Sequence, residues 1–498
     1  MLGRLTFRGS WVIAIVLAYL YVFPYFPAIQ SANELPRVYL VKAIADDHTF
    51  EIDHGVQTWG TTFDVSRAPD GHSYSNKAPG SSLLVAPVYA AVELVAGEPS
   101  LGETMWLCRF VTGVVPTLLF AWLLWGFLAR FAPDPHVRRL VVVAYLFGSM
   151  ALTYSILYFS HQLAAVCLGS SWIVAIDVAE RRRAANAMIA AGALAGGAIL
   201  CDYQAAFVVV PLAIDIALRV DRKHLVRALV MGGAGAAVPI ALLLYYHAAC
   251  FGSPFRTGYG LSTSAHGHEQ GLLGLSTPSW RAFIGSTLDP DNGLFTLAPW
   301  LLLAIPGAVT LARTDRRTAV TCGAVIVVSL WFISSLAFWR AGWEVGPRYI
   351  VMMLPFALPL VAAQLEAWRD RPLVIGGAAG LVVVGVVVYT ASAMTFPYWI
   401  DYVKNPLYEL TFRMLGDGLV APNVLTAAGA TGLATIVPFV ALVAGVTGWA
   451  IQRVAGWRGL AIAGAIGAVV IGAYAAFPRS GAQGDKAYAY VRAAVDKL

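Results

Sequence analysis

Apolar blocks of about 20 residues recur along this chain, and a helix of that length crosses the hydrocarbon core of a bilayer. Only 12% of the 498 residues are charged, against about 25% in soluble globular domains. This composition excludes a water-soluble enzyme, a disordered chain, a collagen and a disulfide scaffold. We therefore predict an all-α polytopic membrane protein, with 1–498 as a single integral membrane domain.

The first apolar block, 11–29, ends in prolines and has no small-residue cleavage site, so we expect it to be retained as a span. Further spans are predicted over 106–131, 139–158, 160–179, 187–201, 204–218, 226–248, 294–312, 318–338, 348–366, 373–392, 426–452 and 459–478. The block 81–96 is shorter and contains Pro87 and Glu93, which favours an interfacial helix.

Clusters of basic residues between the apolar blocks set the predicted orientation. With 81–96 left uncounted, the clusters at 136–139, 181–183, 219–227, 313–317 and 369–371 all lie inside. About 13 spans follow, with a cytoplasmic N-terminus and a periplasmic C-terminus. The formal charge of +6 is then a property of cytoplasmic loops, and no nucleic acid partner is implied.

Three sizeable segments lie outside in this topology: 30–105, 249–293 and 393–425. The inner loops are only a few residues long, so the room for chemistry is on the extracytoplasmic face. Short loops and Ala/Val/Gly-rich spans favour the inner (cytoplasmic) membrane of a bacterium.

The first outer segment combines carboxylates and cations close to the membrane. Glu34 and Arg37 follow the first span, and Asp64 and Lys77 come before the interfacial helix. Arg and Lys at headgroup depth can pair the oxygens of a lipid-linked phosphate. A carboxylate can accept a proton from an incoming hydroxyl.

These residues resemble those of the GT-C glycosyltransferases, especially the lipid A aminoarabinose transferases and the protein O-mannosyltransferases. Those enzymes carry an Asp-Glu pair after the first span, an Arg-Tyr-bearing periplasmic helix and an aromatic-x-Lys-Pro-Pro motif. The matching positions here are Asn33-Glu34, Arg37 with Tyr39, and the stretch 74–79, which contains Tyr74 and Lys77. The late sequence 346–349, Gly-Pro-Arg-Tyr, is similar to the family's Arg-Tyr segment.

The resemblance implies inverting transfer of a sugar from a polyprenyl-phosphate donor to an envelope acceptor, which is a lipid, a glycan or a protein. It also implies periplasmic juxtamembrane helices. Lys77, Arg37 and Arg348 would offset the charge that develops on the leaving phosphate. The family's catalytic Asp is Asn33 here, and a neutral amide cannot act as a base. Glu34 is therefore the first candidate for the base and Asp64 the second.

Further candidates for substrate binding lie at predicted outer turns and span ends. They are Tyr74, His161, Asp202, Tyr203, Glu344, Arg348 and Tyr349. A purely structural role remains open for several of them. Glu34 and Arg37 are spaced to form a salt bridge along a helix, and the cations and aromatics at 339–349 are typical of an interfacial aromatic belt.

No metal centre is predicted. The five cysteines are scattered without metal-ligand spacing. A divalent cation requirement stays open, because His161 with nearby acids could ligate one. The second outer segment contains Tyr259, His266, His268 and Glu269 and suits a flexible lid.

Two other functions remain open from the sequence. A transporter or flippase of a lipid-linked substrate would carry charges in the middle of its spans and broken helices in matched pairs. An envelope glycan ligase or polymerase would use a similar donor but transfer a whole glycan.

Overall fold

Helices form nearly all of the regular structure in the computed structural model, which describes residues 9–29, 31–264 and 274–495. Strands within these ranges are confined to one short hairpin, Val65–Arg67 with Ser73–Ser75, paired antiparallel. The predicted all-α class is confirmed.

The helices follow one another with short connections. The α-helices are Ser10–Tyr21, Leu35–Ala45, Asp53–Trp59, Gly80–Ala96, Leu101–Arg109, Val115–Leu128, Pro135–Phe147, Met150–Ser155, Ser160–Ala179, Ala187–Cys201, Ala205–Arg219, Arg222–Phe251, Trp280–Leu288, Leu294–Leu297, Ala304–Ala312, Arg316–Ser334, Leu354–Ala367, Pro372–Ala393, Phe412–Gly416, Val424–Ala427, Val437–Ala473 and Ala482–Val495. Two π-helical turns, Phe110–Val114 and Leu407–Thr411, and five 3₁₀ turns, Gly258–Leu261, Pro299–Leu303, Arg348–Met353, Leu433–Ile436 and Tyr474–Ala476, connect or extend them.

Seven helical runs within the described residues are long and apolar enough to cross a bilayer. They are Leu101–Leu128, Ser160–Ala179, Arg222–Phe251, Arg316–Ser334, Arg348–Ala367, Pro372–Ala393 and Leu433–Ala476. An eighth is added if Pro135–Phe147 and Met150–Ile156, bent by 51° to each other, form one span. The chain is therefore a multi-pass helical membrane protein, and the number of about 13 spans stays a prediction.

The prediction of about 13 spans exceeds the seven or eight candidate spans among the described residues because some predicted spans are short helices and others are joined in one helix. Ser10–Tyr21, Ala187–Cys201 and Pro299–Ala312 occupy predicted spans but are only 10–17 residues long. The predicted spans 426–452 and 459–478 both fall within Leu433–Ala476, where Gly456 has a non-helical φ of 70°. A Cβ on Gly448 would lie 4.0 Å from Leu460 Cδ1. Twelve residues of straight helix would separate these positions by about 18 Å, so the run folds back on itself.

Small residues bring two of the helices into close contact. A Cβ on Gly192 would lie 1.9 Å from the carbonyl oxygen of Gly232, and a Cβ on Gly196 would lie 3.0 Å from Ala236 Cα. Both pairs are spaced by four residues, which places each on one helix face. Such small-residue stripes let membrane helices pack backbone to backbone. This contact fixes Ala187–Cys201, which leads directly to Asp202, against Arg222–Phe251.

The segment that follows the first helix has more structure than the sequence predicted. Leu35–Ala45, Asp53–Trp59 and Gly80–Ala96 are helical, in agreement with the expectation of juxtamembrane helices. The hairpin between them was not predicted, because three-residue strands carry too little alternation to be recognised. The outer positions of 30–105, 249–293 and 393–425 stay predictions.

Candidate functional site

One cavity brings together six of the residues predicted to bind substrate. Arg37, Lys77, His161, Asp202, Tyr203 and Tyr349 all line it. The other lining residues are Asn33, Ala78, Cys201, Gln204, Phe207, Tyr259, Leu275, Phe332 and Leu336. We call this space the Lys77 cavity. Its lining includes cationic, polar and apolar side chains.

A close backbone contact assembles the cavity from distant parts of the chain. Gly80 begins the helix Gly80–Ala96, and a Cβ at this position would lie 2.7 Å from the carbonyl carbon and oxygen of Leu200. Only glycine allows the two backbones to approach in this way. Lys77 is thereby placed beside Asp202, which directly follows the helix Ala187–Cys201.

Lys77 forms a buried ion pair with Asp64. Its Nζ lies 2.8 Å from Asp64 Oδ2, and Asp64 Oδ1 accepts a hydrogen bond of 3.0 Å from Ser264 Oγ. Burial lowers the pKa of Lys77, and the positive charges of Arg37 and Arg348 lower it further, whereas Asp64 acts in the opposite direction. The ammonium is therefore easier to neutralise than that of an ordinary lysine, and a second anion would stabilise its charge.

Arg37 is buried, and its hydrogen bonds go to neutral groups. Its guanidinium donates to the Asn33 carbonyl oxygen at 2.6 Å, to Asn33 Oδ1, and to Ser160 Oγ at 3.0 Å. Arg37 is 3% exposed, and no carboxylate within the described residues lies within salt-bridge distance of it. A buried cation without a direct counter-ion is costly, which makes this position a strong attractor for an anion. The alternative salt bridge to Glu34 does not form.

His161 and Asp202 are hydrogen-bonded to each other on the wall of the cavity. His161 Nδ1 contacts Asp202 Oδ2, and Gln204 Nε2 lies 3.2 Å from the same oxygen. Burial raises the pKa of Asp202, but His161, Arg37 and Gln204 outweigh this effect and hold it below its usual range. Asp202 therefore carries a negative charge directly beside the imidazole.

Arg348 lies behind Tyr349, next to the cavity. Its Nε is 3.5 Å from Glu344 Oε2, and its guanidinium lies 5.2 Å from the ring centre of Phe159 and 5.5 Å from that of Tyr349. Burial raises the pKa of Glu344 well above its usual range, although Arg348 opposes this shift. The Glu344 carboxyl thus offsets less of the arginine's positive charge than an ordinary glutamate would.

The structure separates two of the predicted tyrosines. Tyr203 lines the cavity and its hydroxyl lies 3.0 Å from His247 Nε2. Tyr74 is not among the lining residues; it lies on the strand Ser73–Ser75, and its hydroxyl donates to Asp70 Oδ2 at 2.9 Å.

Glu34, the first candidate for the base, lies elsewhere. It is fully buried and lines a second cavity, with Arg109, Tyr398 and Trp59 among that cavity's other residues. Oε1 accepts from Arg109 Nε at 3.0 Å, Arg109 Nη2 at 2.8 Å and the Tyr158 amide at 2.6 Å, while Oε2 accepts from the Tyr398 hydroxyl at 2.6 Å. We call Glu34, Arg109, Tyr158 and Tyr398 the Glu34 cluster. Glu34 and Lys77 therefore line different cavities, and the counter-ion of Glu34 is Arg109.

Arg109, the counter-ion of Glu34, was not among the residues predicted from the sequence. Arg109 lies inside the apolar helical run Leu101–Leu128 and is 3% exposed. A signal was present, since a charge inside a membrane span is expensive and normally has a partner. Tyr398 lacked such a signal, because a tyrosine near a predicted span end is common.

Metal-ligand geometry occurs once within the described part of the chain, away from the residues of the Lys77 cavity. Ligand atoms of Glu51, Asp53 and His72 lie within 4.8 Å of one another. These side chains are partly or fully exposed, and exposed acidic groups commonly cluster without binding an ion. The predicted lid residues His266, His268 and Glu269 lie outside the described residues.

The fold was compared with known proteins. It matches the crystal structure of ArnT from Cupriavidus metallidurans bound to undecaprenyl phosphate, with a TM-score of 0.50 and 15% identity over 93% of this chain and 74% of that one. The apo form of the same protein gives a TM-score of 0.49 at 14% identity, covering 93% of this chain and 76% of that one. An Archaeoglobus fulgidus oligosaccharyltransferase with Zn and sulfate gives 0.45 at 14% identity, covering 78% and 52%.

No family model and no curated protein sequence matches the chain. At 15% identity the likeness to the lipid-bound ArnT structure establishes the fold alone. The resemblance to GT-C glycosyltransferases that was based on Asn33-Glu34, Arg37 and Lys77 is confirmed for the fold: the chain has a GT-C-like fold.

Proposed function

We propose that this protein is an inverting glycosyltransferase that moves a sugar from a polyprenyl-phosphate donor to an envelope acceptor on the extracytoplasmic face of a bacterial inner membrane. The observation that carries the proposal is the Lys77 cavity, which Lys77 and Arg37 both line and where Arg348 lies 5.5 Å from the ring centre of the lining residue Tyr349. The ArnT structure with the same fold is bound to undecaprenyl phosphate.

The cations suit a phosphate that becomes a leaving group. Arg37 donates only to neutral oxygens, and the charge of Lys77 is weakened by burial, so both gain from an incoming anion. As the bond from the sugar C1 to the phosphate oxygen breaks, negative charge grows on that oxygen. Preorganised cations stabilise this charge without reorganising at the moment of reaction.

The remaining walls of the cavity fit the other two parts of the donor. Phe207, Leu275, Phe332 and Leu336 form an apolar side that suits a prenyl chain. Tyr203, Tyr259, Gln204 and Asn33 offer hydroxyl and amide groups that suit a sugar. The chemistry of this lining does not depend on one particular sugar.

In the transfer itself, the acceptor oxygen attacks C1 from the face opposite the phosphate. The new bond from C1 to the acceptor oxygen forms as the bond to the phosphate oxygen breaks, and the electron pair leaves with the phosphate. The acceptor hydroxyl gives its proton to a base. Asp64, the second candidate for the base, has both carboxylate oxygens engaged by Lys77 and Ser264, so we assign it the role of positioning Lys77.

Donor binding and sugar transfer test the proposal together. Purified protein in nanodiscs is titrated with undecaprenyl phosphate and assayed with a panel of polyprenyl-phosphate monosaccharides and envelope extract. Lys77→Met should weaken undecaprenyl phosphate binding about 10- to 100-fold, because a charge-assisted hydrogen bond of about 1.5–3 kcal/mol is lost. Lys486→Met, an exposed lysine on the helix Ala482–Val495, is the matched control.

Each outcome decides between the functions that remain open. Transfer by wild type, lost in Lys77→Met and kept in Lys486→Met, supports the glycosyltransferase. Donor binding by wild type without transfer from any donor in the panel favours a flippase. Transfer of oligosaccharides but not of monosaccharides favours a glycan ligase. No binding of undecaprenyl phosphate overturns the proposal.

A further inference from the structure

We infer that His161 is the general base that deprotonates the acceptor hydroxyl, with Asp202 as its positioning residue. This inference rests on the proposed glycosyltransferase function and deepens it. The sequence singled out both residues as substrate-binding candidates, but it did not pair them or assign a base to either.

The hydrogen bonds around the imidazole leave one ring nitrogen available. Nδ1 contacts Asp202 Oδ2, which when ionised accepts a hydrogen bond but cannot donate one. The tautomer inferred from this contact carries its proton on Nδ1, so Nε2 has a free lone pair. His161 is 4% exposed, it lines the Lys77 cavity, and within the described residues Nε2 has no hydrogen-bond partner.

A buried ring nitrogen without a partner is unfavourable unless a ligand completes it. The neighbouring amide does not do so, because Gln204 Nε2 approaches Nδ1 at 3.1 Å and Asp202 Oδ2 at 3.2 Å. An acceptor hydroxyl that donates to Nε2 would satisfy this atom. The same contact is the starting geometry for proton transfer.

The carboxylates that could compete for this role are already engaged. Glu34 accepts hydrogen bonds on both oxygens within the Glu34 cluster and lines a different cavity. Asp64 accepts on both oxygens from Lys77 and Ser264. Asn33 carries no basic group. Among these candidates, His161 combines an available lone pair with a place on the wall that also holds Lys77.

The proton transfer balances with the bonds that change. The acceptor O–H bond breaks, its proton moves to His161 Nε2, and the acceptor oxygen forms its bond to C1. The electron pair of the broken bond from C1 to oxygen leaves with the polyprenyl phosphate. The imidazolium that results is stabilised by Asp202, as in other pairs in which a carboxylate orients a catalytic histidine.

Charged and titratable groups from several elements face His161. Asp202 contacts Nδ1 of the imidazole, Arg37 and Lys77 line the same cavity, and Arg348 lies next to the lining residue Tyr349. The ring of Tyr349 lies 5.8 Å from the imidazole centre, and that of Tyr154 lies 6.3 Å away. Because the neutral imidazole is the reactive form, transfer should increase with pH through an acid limb that belongs to the His161–Asp202 pair.

The first test compares His161→Gln with His54→Gln. His54 forms an exposed pair with Asp47 at 2.9 Å and serves as the matched control. His161→Gln should lower kcat about 10²- to 10⁴-fold and remove the acid limb of the kcat profile, with undecaprenyl phosphate affinity kept within about threefold. His54→Gln should match wild type. A raised KM with kcat and its acid limb unchanged would mean that His161 only binds substrate, which overturns the inference.

The second test restores the base from solution. His161→Ala leaves space for an imidazole, so added imidazole should raise its transfer rate at least tenfold, whereas His161→Gln should not respond. Asp202→Asn, which keeps the shape but changes the tautomer preference, should lower kcat while it preserves undecaprenyl phosphate binding. Absence of rescue in an Ala variant that still binds undecaprenyl phosphate would count against a base at this position.

The two proposals fail in different ways. If wild type transfers sugar and His161→Gln does so equally well, only the assignment of the base is wrong. If wild type binds undecaprenyl phosphate but transfers from no donor, the glycosyltransferase proposal fails and the base assignment falls with it.

Discussion

The Glu34 cluster and the Lys77 cavity both contain buried charged residues and tyrosines, but they differ in the partners of their arginines. In the Glu34 cluster one arginine faces one carboxylate, and both carboxylate oxygens accept hydrogen bonds from within the protein. In the Lys77 cavity Arg37 donates hydrogen bonds only to neutral groups, and His161 Nε2 has no hydrogen-bond partner within the described residues. Arg109 Nη1 has no hydrogen-bond partner within the described residues, but the charge of Arg109 is met by Glu34. The comparison teaches that a buried charge with a counter-ion supports the fold, whereas a buried cation without a direct counter-ion is suited to an anionic ligand.

The largest expected effect concerns stability. Glu34→Gln leaves Arg109 without its counter-ion and should lower the free energy of unfolding by about 3–5 kcal/mol. Thermal unfolding in detergent measures this loss. Asp485→Asn removes a pair with Arg413 whose side chains are 69% and 44% exposed, and it should cost less than about 1 kcal/mol.

A double substitution sharpens the test of Glu34. Glu34→Leu combined with Arg109→Met removes both charges and should recover much of the loss, since apolar replacement of a buried pair is often neutral. If Glu34→Gln unfolds like wild type but no longer transfers sugar, Glu34 is the base that the sequence predicted, and the contrast between the two regions fails.

A change of charge in the Lys77 cavity should have an intermediate effect. Asn33→Asp places a carboxylate against Arg37 and gives it an internal counter-ion, so the affinity for undecaprenyl phosphate should decrease about tenfold. Asn33→Ala, which adds no charge, should change it less than about threefold. Binding is measured without sugar transfer, because a carboxylate at position 33 could also alter proton transfer. Unchanged or tighter binding by Asn33→Asp would show that Arg37 does not hold the phosphate.

The smallest expected effect is a shift in pH dependence. The pKa of Lys77 is lowered by burial and by its cationic neighbours, and only the charged amine attracts phosphate strongly. Donor affinity should therefore be highest near neutral pH, where the phosphate is ionised and the amine is charged. It should decrease as pH rises through that lowered pKa, below the value of about 10.4 of an ordinary lysine. Lys77→Arg keeps its charge, so its affinity should stay constant from pH 7 to about 10.

Titration of undecaprenyl phosphate binding across this pH range provides the measurement. Lys486→Met, which leaves Lys77 in place, should follow the wild-type curve. A wild-type midpoint at or above that of an ordinary lysine would contradict the role of burial at Lys77.

Six of the residues that line the Lys77 cavity were recognised from the sequence because their types and positions were unusual. Lys77 precedes a proline and a helix, Arg348 and Tyr349 follow a proline near a span end, and an acid at Asp202 between two apolar blocks needs a partner. These are local signals. They identified residues without indicating which of them meet.

The sequence did not reveal which of these side chains contact each other, because the partners are far apart in the chain. His161 and Asp202 are separated by 41 residues, and Glu34 and Arg109 by 75. Glu34 and Arg37, one helical turn apart, were a reasonable local pair, yet each turns to a different partner. Helix packing, including the backbone contact at Gly80, determines which partner each of these side chains reaches.

The sequence by itself determined that the chain is a helical membrane protein, and its short motifs predicted a GT-C-like fold. The length of an apolar block can be compared directly with the thickness of a bilayer. A short motif can be recognised because its residues are contiguous in the chain. Only the tertiary structure decided which buried charges are neutralised within the protein and which remain available. The physical reason is that the energy of a buried charge depends on the groups around it, and those groups come from helices distant in sequence.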